Sequence, residues 1–357
     1  MADLNKLLKI VIEKKATDLH LAVNLPPMIR IDGDLIEIKQ HPKLGQFEIE
    51  QMIFGIVNER QKNEFLETGE LDFGYTLQDI CRFRINVFRE RGNIGAALRF
   101  IPIKIPTMEE IGLSKVIEKV LDHPTGLILV TGPTGSGKST TLASMINYLN
   151  NKVSKHVVTI EDPIEYTFSK IRCKFSQREV KTDTNSFSSA LKHVLREDPD
   201  IILVGEMRDT ETIMATITCA ETGHLVFSTL HTIDSTQTVD RIIDSFPGYQ
   251  QNQVRFQLSM LLQAIISQRL MKRVPGGLIA AREILLVNDA VRNLIREQKT
   301  QQIYSILQTG AKEGMSTLDM AILSFYKAGI ITRDVAIYNV KNREEFMRKI
   351  SGGTGTN

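Results

Sequence analysis

The sequence predicts an α/β protein in which a smaller α+β domain precedes a larger domain built on a parallel sheet. Two observations carry this prediction. Short strand-like runs dominate the first hundred residues, with few helical patterns between them. From Gly126 onward, apolar strand-like runs alternate with helical stretches, an order that implies crossover connections and a parallel sheet covered on both faces.

Residues 1–100 form the predicted α+β domain. Apolar residues recur at helical spacing over Leu4–Ile12, and a period-two pattern over Asp18–Val23 predicts the strand that follows. The turn residues Asp32-Gly33-Asp34 lie between two short alternating runs and predict a hairpin. The remaining predicted elements are two helices, Gln46–Val57 and Glu59–Leu66, and three strands, Leu71–Leu77, Arg82–Phe88 and Ile94–Ile101.

The second half divides into a strand-and-helix core and a helical end. Pro102 and Pro106 interrupt regular structure, so we place a linker at 101–110. The predicted core spans 111–287, with strands Leu127–Thr131, His156–Ile160, Ile201–Val204 and Leu225–Ser228 and helices Lys138–Leu149, Ser186–Arg196, Thr210–Ala220 and Asp234–Ser245. Only helical patterns follow, which predicts a helical C-terminal region over 288–349, and the Gly/Thr-rich residues 350–357 are expected to be a disordered tail.

Composition excludes several classes of protein. Lys plus Arg number 44 against 42 Asp plus Glu, tryptophan is absent and no basic cluster lies near the motifs, so we expect no nucleic-acid partner. The cysteines Cys81, Cys173 and Cys219 form no CxxC pair, which argues against a disulfide framework or a four-cysteine zinc site. No apolar run of membrane-spanning length and no signal peptide occurs, and we expect a cytoplasmic protein.

One motif carries a specific chemistry. The residues Gly132-Pro133-Thr134-Gly135-Ser136-Gly137-Lys138-Ser139 match GxxxxGK[ST], the phosphate-binding P-loop, between a predicted strand and a predicted helix. The glycines let backbone N–H groups surround phosphates, Lys138 reaches the β- and γ-phosphates, and Ser139 offers its hydroxyl to Mg²⁺. Residues from Gly132 to Thr140 are therefore the predicted nucleotide site, with ATP and Mg²⁺ as ligands.

A nucleotide hydrolase of this kind also needs carboxylates for the metal and the attacking water. Glu206 follows the apolar run Ile201–Val204 and is the Walker-B candidate. Glu161, Asp162 and Glu165 follow the strand His156–Ile160 and are expected at the same sheet edge. These carboxylates compete for the two roles, and any of them could instead be a helix cap or a solvated loop acid.

Two histidines flank the predicted strand beside the nucleotide. His224 precedes Leu225–Ser228, and His231 lies just beyond its end. Either could hydrogen-bond the γ-phosphate and report its hydrolysis, or could be a packed or capping histidine. A zinc site is not expected, because further ligands at tight spacing are missing.

Four motifs in this order resemble the hallmarks of the secretion ATPase superfamily: Gly132–Thr140, the acidic box Thr159–Tyr166, the Walker-B segment Arg196–Asp209 and the histidine box Ala220–Val226. Within that superfamily the chain resembles the type IV pilus retraction ATPases, the PilT family. The segment Val291–Glu297 is similar to that family's motif AIRNLIRE, with Val291 in place of the isoleucine.

The resemblance implies a homohexameric motor with a PAS-like N-terminal domain and a RecA-like ATPase domain. It also implies that Arg84 and Arg99 act on the nucleotide, in their own subunit or in a neighbour's. Under it Glu165 orients or deprotonates the attacking water, and Glu206 supports Mg²⁺ through water. The expected partners are a pilus platform protein of the inner membrane and a PilU-like paralogue. Through the pilus machinery, the motor would associate peripherally with the inner membrane.

Several readings remain open from sequence. An assembly ATPase of pili or type II secretion commonly carries a zinc module with two CxxC pairs, which this chain lacks, and a PilU-like accessory ATPase would share the same chemistry. The polar residues Arg292, Asn293, Arg296 and Glu297 are either a solvated helix face or a face that passes the motor's motion onward.

Overall fold

A computed structural model describes residues 3–31, 33–39, 41–77, 81–102 and 104–351. The chain folds as two compact units. One comprises Met1–Lys104 together with Pro163–Thr167, and the other comprises Ile105–Asp162 and Phe168–Asn357. The boundary after Lys104 lies inside the segment 101–110 that the two prolines mark as a linker.

The first unit is an antiparallel sheet with three helices. Its sheet has six strands in the order β3-β2-β1-β6-β5-β4. The elements are α1 (Leu4–Glu13), β1 (Asp18–Leu21), β2 (Met28–Ile31), β3 (Asp34–Glu37), α2 (Gln46–Phe54), α3 (Glu59–Thr68), β4 (Glu70–Leu77), β5 (Cys81–Glu90) and β6 (Asn93–Pro102). β2 and β3 pair as the predicted hairpin, with Ile31 opposite Asp34, whereas Asp32 of its turn lies outside the described residues.

Alternation along the strands separates the two faces of this sheet. On β5, Phe83, Ile85 and Val87 are buried, while the residues between them are only partly covered. The buried face packs against Leu7 and Leu8 of α1 within one apolar core. The opposite face therefore carries the polar side chains, including the arginines at positions 82 and 84.

The second unit is built on a seven-stranded sheet in the order β13-β12-β7-β11-β10-β8-β9. Its pairs are parallel except β12 with β13, which confirms the predicted α/β class, an α+β domain followed by a domain built on a parallel sheet. The elements are α4 (Val116–Leu121), β7 (Gly126–Thr131), α5 (Lys138–Lys152), β8 (His156–Glu161), β9 (Lys174–Glu179), α6 (Phe187–Val194), β10 (Ile201–Val204), α7 (Thr210–Glu221), β11 (Leu225–Leu230), α8 (Ser235–Asp244), α9 (Gly248–Leu261), β12 (Leu262–Lys272) and β13 (Leu278–Leu286).

Three of these strands have no counterpart among the sequence predictions. β9 is an edge strand with a polar sequence, KFSQRE, and it lacks the apolar run that marks a buried strand. β12 and β13 form an antiparallel hairpin that extends the sheet beyond β7. The apolar run in β12 does not distinguish a strand from a buried helix by periodicity, so its pairing with β7 decides the structure.

The end of the chain is helical, as the sequence indicates. After β13 the structure has α10 (Asp289–Arg296), α11 (Ile303–Thr309), α12 (Leu318–Lys327), α13 (Arg333–Asn339) and α14 (Arg343–Ser351), with short 3₁₀ turns at Thr300–Gln302 and Gly310–Glu313. α14 continues to Ser351 and so enters the range 350–357 expected to be a tail, of which 352–357 lie outside the described residues. No helix in the described ranges is both long and apolar enough to cross a membrane.

Candidate nucleotide site

The P-loop connects a buried strand to a long helix. All six residues of β7 are buried, and α5 begins at Lys138, directly after the loop. Gly132 has φ +143°, and a Cβ at this position would overlap the main-chain oxygen of Gln268 on the neighbouring strand. Only glycine fits such a conformation at such a close approach. The exposed stretch Pro133–Gly135 leaves the loop open to solvent above the sheet.

Lys138 folds back over this loop. Its Nζ donates hydrogen bonds to the main-chain oxygens of Gly132, at 2.9 Å, and Pro133, at 3.2 Å. The ammonium group is therefore held at the loop, beside backbone N–H groups at the start of a fifteen-residue helix. Positive charge, backbone N–H groups and the helix dipole together create a binding site for phosphate.

Glu206 lies at the same sheet edge, two residues past the end of β10. β11 separates β10 from β7, so two strand spacings, about 10 Å, separate the Glu206 position from the start of the P-loop. Its side chain is 15% exposed and accepts an ion-pair contact of 2.6 Å from Nε of Arg208. A second contact, of 3.4 Å, comes from Nε2 of His231. Arg208 and His231 both line a cavity of about 360 Å³.

The two histidines lie at opposite edges of the sheet. His231 follows the carboxyl end of β11 and contacts Glu206. His224 precedes the amino end of β11, where its main-chain oxygen accepts from the N–H of Gly126, the first residue of β7. The six residues of β7 place His224 about 20 Å from the P-loop.

The expectation that His224 borders the phosphate of its own chain is therefore wrong. Its ring Nδ1 lies 2.9 Å from the main-chain oxygen of Cys219 and 3.2 Å from the hydroxyl of Thr222. These contacts link the ring to the end of α7, so the packed or capping alternative describes this histidine within the chain. Parallel strand direction explains the difference, because residues before and after one strand lie at opposite edges.

The acidic box has three different environments. Glu161 ends β8, is buried, and accepts a 2.7 Å hydrogen bond from the hydroxyl of Thr159. Asp162 is exposed. Glu165 is partly buried and belongs to the segment Pro163–Thr167, which groups with the first unit. Of the three carboxylates in the acidic box, only Glu161 is therefore buried at the sheet edge of Glu206.

Arg84 and Arg99 face each other across neighbouring strands of the first unit. They form a direct cross-strand pair of β5 and β6, and Arg99 is also opposite Asp18 on β1. The Nε of Arg99 contacts a carboxylate oxygen of Asp18 at 2.9 Å, and the Arg99 side chain is 61% exposed. Arg30 contacts the same carboxylate at 3.8 Å. Asp18 thus offsets part of the repulsion between the two arginines.

The helix that contains Val291–Glu297 divides its polar residues between two roles. Arg292 is turned into the fold, where it donates to the main-chain oxygens of Ser259 and Met260. This corrects the expectation that Arg292 shares an outward polar face with its neighbours. Asn293, Arg296 and Glu297 are exposed; Arg296 donates to the side chain of Asn293, and Lys299 donates to Glu297 at 2.8 Å.

The structure adds a residue that the sequence analysis missed. Gln268 on β12 is 3% exposed, and both ends of its side-chain amide bond to the P-loop region. The available signal was the polar pair Ser267-Gln268 directly after the apolar residues Ile265-Ile266. A polar pair inside a buried strand requires partners, but only the pairing of β12 with β7 identifies them.

Comparisons with known proteins agree with this geometry. A family model described as "Type II/IV secretion system protein" matches residues 104–301. The type IV pilus retraction ATPase PilT of Pseudomonas aeruginosa is 50% identical over 344 residues, which cover 96% of this chain and all of that protein. PilU of the same bacterium, a type IV pilus ATPase, is 36% identical over 99% of this chain and 92% of its own length. A crystal structure of the pilus retraction motor PilT with bound ADP has a TM-score of 0.89 at 45% identity, with 98% of this chain and all of that one covered.

Proposed function

Because the chain belongs to the type II/IV secretion system protein family and is a pilus retraction ATPase within it, we propose that it couples ATP hydrolysis at the P-loop to pilus disassembly. The observation that carries the chemistry is the P-loop between β7 and α5, with Glu206 at the same edge of the sheet. Retraction of the pilus by this motor would drive twitching motility.

Nucleotide binding would reorganise Lys138. In the structure its ammonium group bonds to the oxygens of Gly132 and Pro133, which are weak competitors for a charged phosphate. We expect Lys138 to exchange these bonds for the β- and γ-phosphates, while N–H groups of the loop surround the same oxygens.

The residues at this edge fit a magnesium ion. Mg²⁺ binds through one or two protein oxygens, several waters and the phosphates of its nucleotide, so it needs no protein cage. The described part of the chain holds no group of three or more His, Cys, Asp or Glu side chains arranged for a metal. Ser139 would hold the ion directly and Glu206 through water; the bound ion would neutralise charge on the phosphates.

Two carboxylates would act on the attacking water and on the metal ion. Glu165 orients or deprotonates the attacking water, and Glu206 supports the metal shell. Arg208 contacts one carboxylate oxygen of Glu206 and His231 contacts the other, which restricts the orientation of the carboxylate. Glu161 is buried and hydrogen-bonded to Thr159, and it would help to hold this edge of the sheet in place.

In this proposal, Arg84 and Arg99 would neutralise charge on the transferred phosphoryl group of a nucleotide. Their shared register on β5 and β6 directs both side chains to one face of the first unit. We propose that the active form is a homohexamer in which these arginines act on the nucleotide. Its partners would be the inner-membrane platform protein and a PilU-like ATPase.

Phosphate release tests the chemistry. Lys138→Ala should lower ATPase activity at least a hundredfold, because it removes a charge that stabilises the transition state. Lys312→Ala is the matched control, since Lys312 is an exposed lysine on the 3₁₀ turn Gly310–Glu313 and is not part of the P-loop. Equal activity in Lys138→Ala and the wild-type protein would contradict the proposal.

Complementation tests the direction of the motor. In a Pseudomonas aeruginosa strain that lacks its own retraction ATPase, the wild-type chain should restore twitching and reduce surface pili, whereas Lys138→Ala should leave pili accumulated. Restoration of twitching only in a strain that lacks PilU and retains PilT would indicate the accessory, PilU-like role, which the lower identity to PilU supports less.

A further inference from the structure

A single buried glutamine joins two parts of the nucleotide site. The side-chain Nε2 of Gln268 donates a 2.6 Å hydrogen bond to the main-chain oxygen of Ser136 in the P-loop. Its Oε1 accepts a 2.9 Å hydrogen bond from the hydroxyl of Thr141 in the first turn of α5. Gln268 is 3% exposed and Thr141 is 1% exposed, so water competes for neither bond.

The backbone places this amide level with the loop. β12 runs parallel to β7 and pairs Ser267 with Thr131, the last residue before the loop. A Cβ on Gly132 would overlap the main-chain oxygen of Gln268, and a Cβ on Gly137 would lie 3.3 Å from its Nε2. Two P-loop glycines therefore pack directly on this residue.

The bond to Ser136 has a geometric consequence for phosphate binding. A trans peptide is planar, so its C=O and the following N–H point in opposite directions. Holding the Ser136 oxygen toward Gln268 therefore directs the N–H of Gly137 away from β12. The partially negative oxygen of Ser136 then lies on the opposite side of the peptide from this N–H. It therefore does not face an anion that the N–H binds.

We propose that Gln268 is a positioning residue for the nucleotide: it orients the Ser136–Gly137 peptide so that the Gly137 N–H faces the bound phosphates. The main-chain oxygen of Ser136 can only accept, so it selects the amide orientation that presents Nε2, and the hydroxyl of Thr141 then donates to Oε1. This inference rests on the P-loop being the phosphate site, as proposed above.

The neighbouring residue supplies a matched control. Ser267 is 1% exposed and its hydroxyl accepts a 2.8 Å hydrogen bond from the hydroxyl of Thr131. Successive side chains of a strand point to opposite faces, so Ser267→Ala removes a buried bond from the same strand while the amide of Gln268 keeps both partners.

Binding of a fluorescent ADP analogue to the full chain separates positioning from packing. Gln268→Met retains the side chain's length and leaves the Ser136 oxygen unpaired, so it should raise Kd and the KM for ATP by about tenfold. Thr141→Val should raise them less, and Ser267→Ala should leave them within about twofold of wild type. Melting temperatures of all variants show whether each one folds.

Gln268→Glu adds a readout that a packing role would not change. An ionised carboxylate cannot donate to Ser136, whereas a protonated carboxyl group can donate to Ser136 and accept from Thr141. Burial favours the protonated form, so the ratio of the variant's Kd to the wild-type Kd should fall as the pH is lowered from 8 to 6.

Three results would overturn the proposal: wild-type Kd in folded Gln268→Met, equal losses in Gln268→Met and Ser267→Ala, or a pH-independent ratio for Gln268→Glu. The variant Lys138→Ala distinguishes this failure from failure of the proposed site. Unchanged nucleotide binding in Lys138→Ala would show that the P-loop is not the phosphate site at all, whatever Gln268 does.

Discussion

The guanidinium of Arg292 donates a 2.8 Å hydrogen bond to the main-chain oxygen of Ser259, near the end of α9. A second bond, of 2.7 Å, reaches the main-chain oxygen of Met260. The last carbonyls of a helix have no partner inside it and carry partial negative charge, so a cation there is favourable. Arg292 therefore caps one helix from another, and it joins α9 to α10.

We expect Arg292→Ala to destabilise the second unit by about 1–3 kcal/mol, because it leaves carbonyls at the end of α9 without a charged donor. Thermal unfolding would measure the change. Arg296→Ala is the control on the same helix; its side chain is exposed, and the expected change is within about 0.5 kcal/mol. Equal stability of the two variants would contradict the capping role.

A second prediction concerns force transmission by the exposed residues of α10. If this face passes motion to the pilus machinery or between subunits, the double variant Asn293→Ala with Arg296→Ala should retain its ATPase activity and lose twitching in the complementation assay. Arg292 is left intact, because its loss would affect folding. Normal motility in the double variant would leave only the solvated-face interpretation.

A third prediction separates the roles proposed for Glu165 and Glu206. Glu165→Gln should bind the ADP analogue normally and hydrolyse ATP at least a hundredfold more slowly, since a general base contributes about 10² to 10⁴ in rate. Glu206→Gln should instead raise the Mg²⁺ concentration needed for half-maximal activity. Asp162→Asn, at an exposed position of the same box, should leave both measurements unchanged. Wild-type turnover in Glu165→Gln would remove Glu165 from the mechanism.

A fourth prediction concerns the pH dependence of stability. Glu283 on β13 is 4% exposed, and its Oε1 accepts hydrogen bonds of 2.8 Å from the N–H and the hydroxyl of Ser235. Burial raises the pKa of this carboxyl group above its ordinary value of 4.5, and the nearby Asp234 carboxylate adds to that rise. The folded protein therefore keeps a proton that the unfolded chain releases as pH rises above 4.5.

The stabilisation that the Glu283 proton provides is therefore fully present below pH 4.5. It is lost as the pH rises through the higher pKa of Glu283 in the folded state. Glu283→Gln retains an oxygen acceptor for Ser235 and has no charge to bury, so its melting temperature should increase relative to wild type between pH 5 and pH 8. Ser267→Ala, which removes no titratable group from β12, should show no such trend. A pH-independent difference for Glu283→Gln would contradict the assignment.

Local sequence determined the parts of this protein that depend on neighbouring residues. The P-loop could be recognised because its glycines, its lysine and the flanking strand and helix all lie within one short segment. The position of Glu206 followed from the apolar run before it, because such a run forms a buried parallel strand whose end lies at the ligand-binding edge. Alternation and helical spacing likewise identified most elements of both units, and the α/β class with them.

Tertiary structure alone decided the roles that depend on residues far apart in the chain. Gln268 meets Ser136 across 132 positions and Arg292 meets Ser259 across 33, so no local pattern links either pair. The pairing of β12 with β7 creates the first contact, and the packing of α10 on α9 creates the second. The predicted contact of His224 with the phosphate was wrong for the same reason. A residue next to a strand in sequence can lie at either edge of the sheet. A side chain's chemistry follows from its type, but its partners follow from long-range burial and hydrogen bonding, which act only in the folded chain.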